Sequence, residues 1–314
     1  MQNGAVSHLG ILVVYALSGE SDIGLLELHL DRIARHTSTP YTLFAVTPRL
    51  AADAERVVRQ APNVVMCDIP PTPRRSSREH GYYLDAMVPL ALDAGVSHVC
   101  TLDIDSFPIR DDWLESLLAE APSQTGVVGV LRLENGDVAL PHPSCVFAPR
   151  EFFERYRPSF LPDPEPTAEF ERFKQATGQA NDTGVRLASL LWNKQLPWGK
   201  LLRTNAVDLH YLLGGIYGDT IFHMSGVASG LVFRPDLARS RARKLTRPLE
   251  RLPERPARMK AAKRWLLRET RRRNGARIAA RNRVAYNELR ARLLDNSDAL
   301  IAELRGAPRG GVTS

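Results

Sequence analysis

Cysteine is scarce. Cys67, Cys100 and Cys145 are the only three in 314 residues, each in an apolar context. Their odd number and wide spacing argue against a disulfide framework or a zinc knuckle and indicate a reducing compartment. Long hydrophobic runs are lacking too. The N-terminal one, Leu9 to Leu17, is too short to span a bilayer and has no basic flank before it. It reads as a first buried strand, and no signal peptide is expected. No internal repeat occurs, so solenoids are excluded.

What is present is an ordinary globular composition, 44% apolar and 25% charged. The length suffices for one large α/β domain with an extension. The net charge of +7 conceals an asymmetry. From Arg234 onward there are 23 Lys and Arg against 8 Asp and Glu, a net +15, which leaves −8 on residues 1–233. An acidic body (1–235) with a basic helical extension (236–314) is therefore expected. In the extension, Ile278, Val284, Leu289, Leu293, Leu300 and Leu304 fall roughly on one side of a helix. Packing of this tail on the acidic body or in a homodimer is one expectation. Contact of its basic residues and Trp265–Leu267 with an anionic membrane is another. No nucleic-acid motif is present, so no nucleic-acid partner is expected.

The first third alternates between strand and helix patterns. "ILVVYALSG", "YTLFAVTP", "NVVMCDIP" and "HVCTLDIDSF" read as strands, separated by three segments of helical period. Such alternation predicts a mostly parallel sheet with helices on both faces. Further on, "GVVGVLRL" reads as a strand and "SCVFAPREFFERY" as a strand-to-helix unit. "LPDPEPTAEF" reads as a surface loop, and "NDTGVRLASLLWNK" as a helix opened by Asn181 to Thr183. In a parallel sheet, ligands gather outside the carboxyl ends of the strands. Ser18, Asp68, Asp103 and Asp105 stand at such ends. Side chains at i and i+2 of an extended segment point the same way. Asp103 and Asp105, with Ile104 between them, thus present two carboxylates to one point. Oxygen ligands of this kind suit Mg2+ or Mn2+, which would clamp a diphosphate.

The segment from His80 to Pro108, with Asp-x-Asp at its strand end, resembles the nucleotide-sugar-binding half of GT-A fold glycosyltransferases, especially family-2-like enzymes. The resemblance extends over about residues 9–230. It implies a metal-dependent transfer of a sugar from a nucleoside diphosphate sugar to an acceptor hydroxyl on a glycan, lipid or small molecule. Asp103, Asp105 and His223 would hold the metal. His80, Gly81 and Asp85 would lie against the nucleotide, and Gly226 would let the diphosphate approach the backbone. Asp182 would be the general base of an inverting reaction, or would orient the sugar in a retaining one. Arg74, Arg75 and Arg78 read as a solvated loop, and Trp192 and Trp198 as core or as a sugar-stacking wall. The alternatives are a sugar-phosphate nucleotidyltransferase, whose Gly-rich basic first loop is missing here, and a binding protein with a basic tail. A phosphatase of the haloacid-dehalogenase type places its Asp-x-Asp on the first strand, unlike this chain. The expected location is cytoplasmic, with peripheral contact at the inner face of the membrane.

Overall fold

The computed structural model of the chain describes residues 5–16, 23–162, 167–226, 231–240 and 257–306, the last segment by backbone alone up to residue 271. Its first third follows the expected alternation: β1 (Leu9–Val14), α1 (Ile23–His36), β2 (Tyr41–Val46), α2 (Ala52–Gln60), β3 (Val64–Met66), α3 (Ser77–Asp93) and β4 (His98–Leu102). Every residue of β1 and β4 is buried. That is the burial of strands covered on both faces, which is why they read as continuous apolar runs.

Further along come β5 (Ser106–Pro108), α4 (Trp113–Glu120), β6 (Val128–Val130), β7 (His142–Pro149), α5 (Arg150–Tyr156), α6 (Ala168–Thr177), α7 (Val185–Asn193), β8 (Gly199–Leu201), β9 (Gly215–Tyr217), β10 (Ile221–His223), α8 (Arg234–Arg239) and α9 (Ala257–Leu304). The main sheet has seven strands in the order β3-β2-β1-β4-β7-β6-β8. Among these, β7 runs antiparallel to its neighbours β4 and β6, and the other pairings are parallel. A second sheet of three strands, β5-β10-β9, is antiparallel.

Alternate residues of β1 feed two cores. Leu9, Ile11 and Val13 join α1, α2 and α4 on one face, where Trp113 and Leu117 are fully buried. Leu12 and Val14 join Tyr83, Leu84 and Met87 of α3, Phe152 of α5 and Leu187 of α7 on the other. Helices therefore cover both faces. The α/β class with a mostly parallel sheet and a helical C-terminal extension is the architecture found.

The extension packs on the body. Leu289, Leu293, Leu300, Ile301 and Leu304 of α9 share a core with Leu25, Phe107, Leu213 and Phe222. Arg32 of α1 donates to Asp298 at 2.6 Å. The boundary expected at residue 235 falls inside α8. Val284, placed by sequence on the apolar stripe of α9, is 71% exposed. Its angular step from Leu289, at about 100° per residue, turns it off that face. The helix is broken at Asn296, which has non-helical dihedrals. Trp265 and its neighbours lie outside the described side chains. Among the described residues no helix is long and apolar enough to cross a membrane.

Two local expectations change. "LPDPEPTAEF" was expected to be all loop, but α6 starts at Ala168, where the Thr167 hydroxyl accepts the Phe170 amide at 3.1 Å. Asn181 to Thr183 precede α7 rather than open it. Gly184 stands before the first helical residue at φ 88, a left-handed conformation that glycine adopts without strain.

Candidate active site

Asp103 follows β4 directly, and the chain then turns into β5 of the second sheet. Ser106 fixes that turn: its hydroxyl accepts the Asp103 amide at 2.8 Å and donates to the Ser144 carbonyl at 2.6 Å. His223 ends β10, opposite Ser106 in register. The junction of the two sheets thus delivers Asp103, Asp105 and His223 to one point. One donor atom from each lies within 4.8 Å of the others. His223 Nε2 is 3.5 Å from Asp105 Oδ1 and 3.8 Å from Asp103 Oδ2. Asp105 and His223 are buried, and Asp103 is half-buried.

Two more imidazoles surround Asp103. His80 Nε2 is 3.4 Å from Oδ1, and His142 Nδ1 is 3.9 Å from Oδ2. Burial raises the proton affinity of Asp103, and the neighbouring Asp105 adds to it, against the pull of His80, His223 and Arg132. Burial, Arg132 and the other histidines push His142 well below the usual histidine range, so it is neutral. Two crowded carboxylates and a buried imidazole form a donor set that fits Mn2+, and Mg2+ less closely because of the imidazole.

These residues line a cavity of about 500 Å³ at the carboxyl ends of β1 and β4. Its lining also carries two arginines, each paired with acids. Arg132 donates from Nε to Asp137 Oδ2 at 2.9 Å and from Nη2 to Asp182 Oδ2 at 3.3 Å. Arg234 reaches the same Asp182 oxygen at 3.4 Å and the Asn181 carbonyl at 3.1 Å. Asp182 Oδ1 accepts the Ser77 hydroxyl at 2.8 Å and the Thr183 amide at 2.9 Å. Burial alone would raise its pKa, but Arg132, Ser77, Arg234 and the Thr183 amide outweigh it and hold Asp182 below the usual carboxylate range. Arg49 and the buried Glu79, also in the lining, pair at 2.9 Å.

Of the residues read from the sequence, His80, Asp103, Ile104, Asp105, Asp182, His223 and Gly226 line this cavity. Ser18 lies outside the described residues. Asp68 is exposed and is not part of the lining. Gly81 and Asp85 face elsewhere. A Cβ on Gly81 would stand 2.6 Å from the Phe160 carbonyl oxygen. Asp85 accepts the Phe160 amide at 2.6 Å and the Ser159 hydroxyl at 2.5 Å. Both residues seat the segment after α5. Arg74 and Arg75 stay on the surface, as expected. The sequence reading did not find Arg49, Glu79, Arg132, Glu134, His142 or Arg234. Arg132 alone carried a signal, since it ends the apolar run of β6 as Asp103 ends that of β4.

No family model matches the chain, and no curated protein does. Solved structures do. A mannosyltransferase from Pyrobaculum calidifontis, in complex with GDP-Man and Mn2+, aligns at 13% identity and a TM-score of 0.39 over 58% of this chain and 56% of that one. This chain thus spans little more than half the length of that enzyme. A CMP:2-keto-3-deoxy-manno-octonic acid synthetase complexed with CTP aligns at 13% identity and 0.39 over 62% and 89%. The galactosyltransferase LgtC with donor and acceptor sugar analogues aligns at 10% identity and 0.37 over 61% and 73%. The functional reading rests on the cavity's own residues.

Proposed function

We propose that this chain is a metal-dependent glycosyltransferase of GT-A type, which moves a sugar from a nucleoside diphosphate sugar to an acceptor hydroxyl. One observation carries the reading: Asp103, Asp105 and His223 converge at a strand end, inside a cavity that Arg132 and Arg234 also line. The three would hold Mn2+ or Mg2+, and such an ion, when bound, neutralises the charge of a departing diphosphate. Ser76 and Ser77 bring the start of α3 to the cavity, where backbone N–H groups favour an anion. Asp182 is kept ionised by its two arginines. Its low proton affinity favours gripping sugar hydroxyls over taking up a proton. Leu212 and Phe233 give the cavity some apolar lining.

The test is a thermal-shift panel of UDP-, GDP- and dTDP-sugars with and without Mn2+. A ligand that binds only the folded chain raises its melting temperature. At least one donor is expected to do so, and more strongly with Mn2+. A flat panel overturns the reading.

A further inference from the structure

A second cavity, of about 720 Å³, shares no lining residue with the first. It lies at the other end of α7, whose near end follows Asp182. Two indoles line the groove. Trp192 is 39% exposed and rests one edge on Phe173, ring centroids 6.0 Å apart. Trp198 is half-buried, with the Lys200 ammonium 5.7 Å from its ring centre. Between them the chain turns through Gln195, which takes a left-handed φ of 51. The ionisable groups of the lining are Arg172 and Lys200, both exposed, and no acid is among them. Asn193 and Gln195 add side-chain amides.

We propose that this groove binds an acidic saccharide chain. A sugar ring offers an apolar face that packs on an open indole, while its hydroxyls meet amides. Carboxylates carried on the sugars meet Arg172 and Lys200. That chain would be the acceptor, led along α7 toward Asp182; this last step rests on the glycosyltransferase reading, and the binding itself does not.

The experiment is calorimetric titration of the full chain at low ionic strength, with neither metal nor nucleotide. The probes are tetragalacturonic acid, a hyaluronan tetrasaccharide and neutral maltotetraose. At least one acidic probe binds about tenfold or more tighter than maltotetraose, and high salt weakens it. Trp192→Ala weakens binding by about tenfold or more. So does the double variant Arg172→Glu/Lys200→Glu, whose exposed positions leave the core intact. The proposal is overturned if neither acidic probe exceeds maltotetraose, or if the double variant binds as the wild type does. The response of that variant to nucleotide sugars stays unchanged, so loss of the groove and loss of the donor site are read separately.

Discussion

Asn282 of α9 donates its side-chain amide to the Asp236 carboxylate of α8 at 2.7 Å and to the Leu231 carbonyl at 3.0 Å, at zero exposure. Arg281 and the Tyr211 hydroxyl meet the other Asp236 oxygen at 2.6 and 2.5 Å. This knot ties the C-terminal helix to the segment that carries Val232, Phe233 and Arg234 into the cavity wall. Asn282→Ala leaves a buried carbonyl and a buried carboxylate oxygen short of a donor. The expected loss is about 1–3 kcal/mol of unfolding free energy, read from urea denaturation. A variant as stable as the wild type removes the knot from the account.

Gly81 separates a structural role from a nucleotide-binding one. With the Phe160 carbonyl oxygen 2.6 Å from where a Cβ would stand, Gly81→Ala forces α3 away from backbone that cannot yield as a side-chain tip does. Overpacking of this kind costs about 1–3 kcal/mol, so the melting temperature falls in the absence of any ligand. If instead Gly81→Ala melts as the wild type does and only nucleotide binding weakens, the glycine belongs to the donor site.

The metal ligands predict a pattern across variants. Asp105→Asn keeps the shape and removes the charge; His223→Ala removes the imidazole. Each is expected to abolish the Mn2+-induced rise in melting temperature. In the apo state, Asp105→Asn is expected to leave the melting temperature unchanged or raise it, because it relieves repulsion between two crowded carboxylates. A wild-type Mn2+ response in Asp105→Asn excludes this carboxylate as a ligand.

The first four strands and three helices of the fold were legible because their periods are local. Asp103 and Asp105 were legible for the same reason: a buried strand that ends in two carboxylates is visible in ten residues. Gly81 and Asp85 were assigned to the nucleotide because they stand where the resemblance places nucleotide contacts, and the helical period puts both on one face. It does not tell which face meets the cavity. Ser76, Ser77, Glu79 and His80, at the start of α3, are the ones that line it. Arg49, Glu79 and Arg234 sit in separate segments, and a lone charge in a loop or at a helix start reads as solvated. Only the folded path brings them together. The core shared by α9 and β10 was likewise hidden, since an apolar helical stripe names no partner.

The stability of the chain is expected to fall as the pH drops below the ordinary histidine value. Burial lowers His29 to about 4, against the opposing pull of Asp105 and the carbonyls of Ser106 and Asp103. Burial likewise lowers His98, against the weaker pull of Glu151. His29 is neutral when folded at pH 6 and His98 holds its proton less readily than usual, while the unfolded chain takes up protons below about 6.5. The unfolded state then binds more protons, so the unfolding free energy rises with pH across this window and is lost on acidification. For His29 the window runs from about 6.5 down to about 4, and the full loss is about 3 kcal/mol at 1.36 kcal/mol per unit. His98 lies far from the metal ligands and stacks on Phe147, ring centroids 5.0 Å apart. His98→Phe keeps that stack and removes the proton. Urea unfolding between pH 5 and 7, in chelator, is expected to give a shallower slope for His98→Phe than for the wild type. Parallel slopes would mean that His98 binds its proton equally in both states, which its burial against Phe147 does not allow.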